Sequence, residues 1–155
     1  PDGPPCPCGQ RGCFEVYCGG LNVARRFRAR LAAGERSAAL DEAGGDPARL
    51  DFRAIAAAAQ RGDPPALEVW EEFVERLAQG VGTCLMFFNP NVVLLGTIAV
   101  HLGERLLAPL RAALPRYAWA VNRDGVRVAA SALGARIGDY GALAVAVAGT
   151  RAVSS

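Results

Sequence analysis

Lysine is missing altogether: all 17 basic residues are arginine. That excludes, within this segment, a phosphate-loop lysine and a Schiff-base lysine. Histidine occurs once, as His101, which argues against a Ser–His–Asp or Cys–His hydrolase built from this segment alone. Long apolar runs are also lacking. The most apolar stretches, residues 81–88 and 92–100, are interrupted by Asn89 and Pro90, and each is too short to span a bilayer. No membrane partner is expected. Nor is there a large charge of either sign. A net charge of +2 gives no reason to expect a nucleic acid or an anionic membrane surface. No secretory leader is visible, because residues 1–12 are polar and proline-rich. No starting methionine is present, and Pro1-Asp2-Gly3-Pro4-Pro5 reads as the middle of a loop. The expectation is a fragment that begins partway through a domain.

What is present is apolar mass and a cluster of thiols. At 155 residues, 52% hydrophobic, the chain can build one core or one lobe of a larger protein. Five cysteines, unevenly placed, fit a secreted disulfide framework poorly, so a cytoplasmic location is the default. Three of them fall within eight positions, in Cys6-Pro7-Cys8-Gly9-Gln10-Arg11-Gly12-Cys13. Glycines between closely spaced thiols let the backbone fold back, so that several sulfurs converge. Zn²⁺ takes four soft or borderline ligands in a tetrahedron, and thiolates suit it. Three are supplied here. Cys18, Cys84, His101 and Glu15 are the candidates for a fourth, none compelling by spacing, and a ligand upstream of Pro1 is preferred. A redox pair or three unliganded thiols are the alternatives, although the Cys-x-x-Cys of a thioredoxin-type couple is absent.

Periodicity predicts a helix over residues 21–31, with Val23, Phe27 and Leu31 on one face. The arginine run of Arg25, Arg26, Arg28 and Arg30 reads as a solvated face. Residues 34–45 read as a loop or frayed helix. A short alanine-rich helix opens near Asp51 and stops at Gly62-Asp63-Pro64-Pro65. The longest helical pattern covers residues 66–88, with Leu67, Trp70, Val74, Leu77, Val81 and Leu85 on its apolar face. Its polar face fades toward the end, so that end is expected to be buried. Val92-Val93-Leu94-Leu95 reads as a strand buried on both faces. A helix over residues 103–114, a second strand at 125–129, a turn at Gly138-Asp139-Tyr140-Gly141 and a small-residue helix at 142–148 complete an α/β order. Trp70 and Trp119 read as packing or interface residues, and His101 as part of a surface helix.

The run Cys6-Pro7-Cys8-Gly9-Gln10-Arg11-Gly12-Cys13-Phe14-Glu15 resembles the signature of the ROK family (repressors, open reading frames, sugar kinases). There, Cys-x-Cys-Gly-x-x-Gly-Cys-x-Glu follows a Glu-x-Gly-His segment. The likeness continues in Cys18-Gly19-Gly20, in residues 57–66, in residues 89–96 and in residues 138–142. It implies the C-terminal lobe of an actin-like ATPase, or ribonuclease H-like, sugar kinase fold, with a zinc-binding loop at residues 1–20 and the lobe at 21–155. Cys6, Cys8 and Cys13 match the family's zinc thiolates, and Glu15 matches the glutamate that binds sugar hydroxyls. Gly96 and Thr97 match the nucleotide loop, where the family usually carries two or three glycines and this chain reads Gly96-Thr97-Ile98-Ala99. Gly138 and Gly141 are expected either beside the adenine or at a tight helix contact.

The resemblance further implies a hexose and Mg-ATP as ligands, structural Zn²⁺, and a homo-oligomer. It places the catalytic aspartate upstream of Pro1. The activity it implies is that of a glucokinase-like hexose kinase. The alternative is the effector-sensing lobe of a sugar-responsive repressor, the one reading in which nucleic acid becomes a partner.

Overall fold

The computed structural model describes the backbone of residues 3–153, and the side chains of residues 3–134 and 136–149. Pro1 and Asp2, read from sequence as part of a loop, lie outside the described residues. Helices dominate: α1 (Phe14–Cys18), α2 (Gly20–Ala32), α3 (Ala39–Glu42), α4 (Phe52–Gln60) and α5 (Pro64–Phe88) precede strand β1 (Val92–Leu95). Then come α6 (Thr97–Leu102), α7 (Glu104–Ala113), α8 (Ala120–Arg123), β2 (Arg127–Ala130) and α9 (Ile137–Val153). β1 and β2 pair in parallel, Val93 opposite Val128 and Leu95 opposite Ala130. Parallel strands require a crossover, and α6, α7 and α8 supply it. Arg111 on α7 fastens the crossover to the sheet by donating to the Val128 carbonyl, 2.7 Å from Nη2.

Capping sets where the central helices begin. Asp51 accepts from the Ala54 N–H at 3.0 Å and so starts α4. Asp63 starts α5, accepting from the Ala66 N–H at 3.1 Å, with Pro64 at the first helical position. Asn89 ends α5 in the left-handed region, at φ 43°.

Asp63 also accepts from the Ser37 hydroxyl at 2.6 Å and the Ala38 N–H at 2.8 Å, so it ties the α2–α3 connection to α5. Burial works against its charge, but these hydrogen bonds and nearby Arg61 outweigh it and hold the carboxyl below the usual aspartate range. A depressed folded-state value contributes stability above the unfolded value of about 4, and that stability is lost as pH falls through the folded value. Asp63→Asn is therefore expected to cost about 2 kcal/mol at pH 7. The gap from the parent should narrow toward pH 3. Urea unfolding at the two pH values checks this, and a gap that does not change with pH counts against the capping account.

The core gathers where α4 and α7 pack on α5. Phe27, Leu50, Ile55, Phe73, Leu85, Leu106 and Leu110 are its largest fully buried side chains. Phe52, Trp70 and Phe73 cluster: Trp70 stacks on both phenylalanines, and the Phe52 and Phe73 rings are tilted with centroids 4.3 Å apart. The buried stripe of α5 runs through Ala66, Val69, Phe73, Val74, Ala78, Val81 and Leu85, so the apolar face is rotated from the expected one. Leu67 lies at its exposed edge, because α5 packs on two sides. Gly82 is enclosed: a Cβ there would come within 2.6 Å of the Tyr117 Cβ and 2.8 Å of its carbonyl oxygen.

Several expectations are corrected. β1 is not buried on both faces: Val93 and Leu95 pack inward, whereas Leu94 is 59% exposed. Helices cover one face of the two-stranded sheet, and among the described residues nothing covers the other. The end of α5 is likewise open, with Phe87 80% and Phe88 78% exposed. Of the two roles expected of Trp119, packing or interface, its exposure removes packing within this chain. Gly138 to Gly141 is not a turn but the opening of α9, which runs well past the expected end at Gly149. The arginine run is not simply a solvated face. Arg26 pairs with Glu72 at 2.8 Å, Arg28 donates to the Leu50 carbonyl at 2.7 Å, and Arg30 bridges Glu35 and Glu68. Among the described residues, no helix is long and apolar enough to cross a membrane.

Candidate functional site

The thiol segment folds as a tight hairpin. Pro5 and Arg11 face each other across an antiparallel bridge, and the Cys6 N–H donates to the Gln10 carbonyl at 2.8 Å. The reversal uses Gly9 at φ 87° and Gly12 at φ 71°, in the region that side-chain-bearing residues avoid. The sulfurs of Cys6, Cys8 and Cys13 consequently lie within 4.8 Å of one another. Cys8 and Cys13 are in contact at 3.5 Å, and all five cysteines are unbridged.

The thiols titrate unequally. The Gln10 backbone N–H, with the Cys6 and Cys13 thiols, lowers the Cys8 value. Hydrogen bonding to Cys8 and then Cys6 pushes Cys13 up to about 11. These hydrogen bonds favour the thiolate at Cys8 over that at Cys13. A tetrahedral zinc with Zn–S bonds of about 2.3 Å separates its sulfurs by roughly 3.8 Å. The cluster fits that spacing. Of the expected fourth ligands, none of Cys18, Cys84, His101 or Glu15 joins the group among the described residues. Burial, then the Glu15 charge, push the Cys18 thiol up to about 12; Arg76 pulls against them and Glu72 adds a lesser push. That holds Cys18 as a neutral packing thiol.

Glu15 stands in the first turn of α1, two residues beyond Cys13. A five-residue helix does not hold itself. Three contacts hold it. Val16 is completely buried. The Tyr17 ring is sandwiched between the guanidinium groups of Arg26 and Arg76, at 5.2 and 4.8 Å. Phe14 lies against Gly80 of α5, where any Cβ would overlap its ring. Glu15 itself is exposed and, among the described residues, pairs with neither Arg11 nor Arg25. Its carboxylate accepts from the Asn22 side-chain amide at 3.3 Å.

Immediately beyond, Gly19, Gly20 and Leu21 line a cleft of about 710 Å³ that also takes in Phe52, Gly96, Thr97, Ile98 and His101. The floor is apolar and Arg28, Asp51 and Arg53 stand among its walls. Gly96 ends β1 and caps α6, and Thr97 is the first residue of that helix. At Gly96 φ is −82°, and a Cβ there would make only ordinary contact with Ile137, at 3.9 Å. Neither conformation nor crowding requires glycine at this place; its bareness leaves room in the cleft. Ile98 reaches the opposite wall, 3.3 Å from where a Cβ on Gly20 would stand. Gly138 is not in the lining. It follows Ile137 on exposed α9, and nothing stands within 4 Å of where its Cβ, or that of Gly141, would be. A tight helix contact at these glycines is thus not seen among the described residues.

The sequence profile of the ROK family matches residues 1–148. The chain belongs to the ROK family. The glucokinase of Thermotoga maritima is 34% identical over 111 residues, covering 72% of this chain and 35% of that protein. The glucokinase of Streptomyces coelicolor is 31% identical over 145 residues, covering 92% of this chain and 46% of that protein. The chain thus spans less than half the length of these relatives. A ROK family glucokinase from Streptomyces griseus, solved in complex with glucose and AMPPNP, superposes with a TM-score of 0.67 at 28% identity, covering 88% of this chain and 45% of that one. A ROK family transcriptional regulator, a homologue of the E. coli MLC protein, superposes with a TM-score of 0.68 at 25% identity, covering 84% of this chain and 32% of that one. The helix-rich α/β fold is accordingly the ROK fold, and these neighbours support the actin-like ATPase architecture.

Sequence reasoning missed Asn22, the Tyr17 sandwich and the Gly19–Gly20 wall. The pattern Glu15 to Asn22 spans two helices, and no single helical or strand period links them. Only the sharp junction between α1 and α2 brings the Asn22 amide back to the carboxylate.

Proposed function

We propose that this chain is the C-terminal lobe of an ATP-dependent ROK hexose kinase of glucokinase type, in which residues 1–20 form a zinc-binding loop and residues 21–155 the lobe. The observation that carries the reading is one of placement. A three-thiol cluster sits two residues from an exposed glutamate, and that glutamate stands beside a cleft lined by Gly96 and Thr97. Cys6, Cys8 and Cys13 would hold the Zn²⁺, whose contribution is structural: it makes the hairpin rigid. Glu15 would accept paired hydrogen bonds from neighbouring sugar hydroxyls, a task suited to a fixed carboxylate. The cleft would take the nucleotide of Mg-ATP, with the bare backbone at Gly96 admitting close approach and the Thr97 hydroxyl offering a hydrogen bond. Gly138 stays outside this cleft, so the nucleotide contact expected of it is not part of the reading. The likeness to glucokinases at 31–34% identity supports the substrate class.

In this reading an aspartate elsewhere in the polypeptide accepts the proton of the sugar hydroxyl. The oxygen attacks the γ-phosphoryl group in line, and positioning with charge neutralisation supplies most of the rate. The protein works in the cytoplasm as a homo-oligomer. The test is hexose phosphorylation by the full-length protein with glucose and Mg-ATP. Glu15→Gln is expected to raise the glucose Kd by about two orders of magnitude with zinc content unchanged. Unchanged affinity would remove Glu15 from the sugar site.

A sugar-responsive repressor is the second reading. Ile98 favours it, since its side chain takes up cleft space beside Gly20, as does the likeness to the transcriptional regulator. A full-length protein that binds glucose, fails to phosphorylate it and releases operator DNA on binding would select this reading.

A further inference from the structure

Residue 15 is gripped at both ends by one side chain. The Asn22 amide nitrogen lies 3.2 Å from the Glu15 backbone carbonyl and 3.3 Å from its Oε1. The Gly19 N–H donates to the same carbonyl at 2.8 Å. The carboxylate folds back over Gly19, where a Cβ would overlap both Oε1 and, at 2.7 Å, the Glu15 carbonyl oxygen. Glutamate has three rotatable side-chain bonds and, when exposed, many positions for its charge. Here a missing side chain at residue 19 makes room for one position, and an amide from α2 selects it. Oε1 is thereby engaged, and Oε2 makes no hydrogen bond among the described residues.

We infer that Asn22 is a positioning residue for the Glu15 carboxylate. It donates to Oε1 and leaves Oε2 as the oxygen that receives a ligand hydroxyl. Its own amide oxygen makes no hydrogen bond among the described residues and is an acceptor of the same kind. The group recognised is a polyol edge offering adjacent hydroxyls. The inference rests on the reading of Glu15 as the sugar carboxylate. Because Asn22 is only two residues from Gly20 and three from Gly19, a shift of this grip also moves the wall of the adjoining cleft.

The test is a double-mutant cycle in the full-length protein, read by calorimetric glucose binding without turnover, with unfolding followed in parallel. Asn22→Ala is expected to weaken glucose binding about tenfold, at an unchanged midpoint of unfolding. In the Glu15→Gln background the same substitution should have little further effect, because the carboxylate it positions is gone. A purely structural role gives the same loss in both backgrounds together with a lower midpoint. That result overturns the inference, as does an Asn22→Ala protein that binds glucose within twofold of the parent. If Glu15→Gln alone leaves affinity intact, the sugar-site reading of Glu15 fails. If Glu15→Gln weakens binding while Asn22→Ala does not, the inference fails by itself.

Discussion

Replacing Cys6, Cys8 and Cys13 together by serine in the full-length protein is expected to eliminate bound zinc and weaken glucose binding about a hundredfold. The argument runs from chain statistics. The hairpin of residues 5–11 carries almost no apolar burial of its own, and its cysteines are exposed or half-buried. Gly9 within it and Gly12 beside it sit at positive φ, and glycine is the residue with most conformational freedom to lose on ordering. Without a cross-link so small a loop orders poorly. A metal joined to three sulfurs is such a cross-link, and its binding energy becomes ordering energy. Cys13 leads directly into the helix that bears Glu15. A displacement of 1 Å in a ligand-holding group is enough for a loss on the scale of a hundredfold. Elemental analysis and calorimetry on the same preparation check both halves. Zinc lost with glucose affinity intact would separate the loop from the sugar site. No zinc in the parent would dismiss the metal outright.

The second large effect concerns the core. Phe73→Ala is expected to cost about 4 kcal/mol of folding stability, since removing a fully buried phenylalanine forfeits its transfer energy and leaves a cavity. Phe73 is 2% exposed and meets both other rings of the Phe52, Trp70 and Phe73 cluster. Aromatic pairing adds to the loss beyond area alone. Against a usual total of 5–15 kcal/mol this is a large fraction. Urea unfolding gives the number, and a cost below about 1 kcal/mol would mean that the site collapses freely. Phe73 also lines the cleft. Loss of its ring should therefore weaken AMPPNP binding in protein that remains folded.

Much of the architecture was legible because it depends on local chemistry. Asp51 and Asp63 before alanine-rich runs mark helix starts, and Gly62-Asp63-Pro64 marks a break, since caps and φ restrictions act within a few residues. The strand at residues 92–95 was legible from its continuously apolar, partly β-branched run. Its burial was not, because exposure depends on what covers each face. Leu94 and Phe87 have apolar side chains wherever they stand, and their openness is a fact about neighbours. The start of α9 is not legible at Gly138 and Gly141 because two glycines three residues apart look like a turn. Helical hydrogen bonding outweighs that local preference. The face of α5 was off by a small rotation, since one helix packed on two sides has no single apolar stripe.

The candidate site divides in the same way. The grouping of three thiols and the closeness of Glu15 are matters of spacing, because a glycine-hinged octapeptide cannot carry its sulfurs far apart. By itself the sequence therefore determined the longer helices, the converging cysteines and the family, but not the short α1, α6 and α8. Only the tertiary structure decided that Asn22 returns to grip Glu15, that Arg26 and Arg76 enclose Tyr17, and that Ile98 faces Gly20 across a cleft. Those contacts join residues on different helices, and their geometry is set by packing and not by any local period.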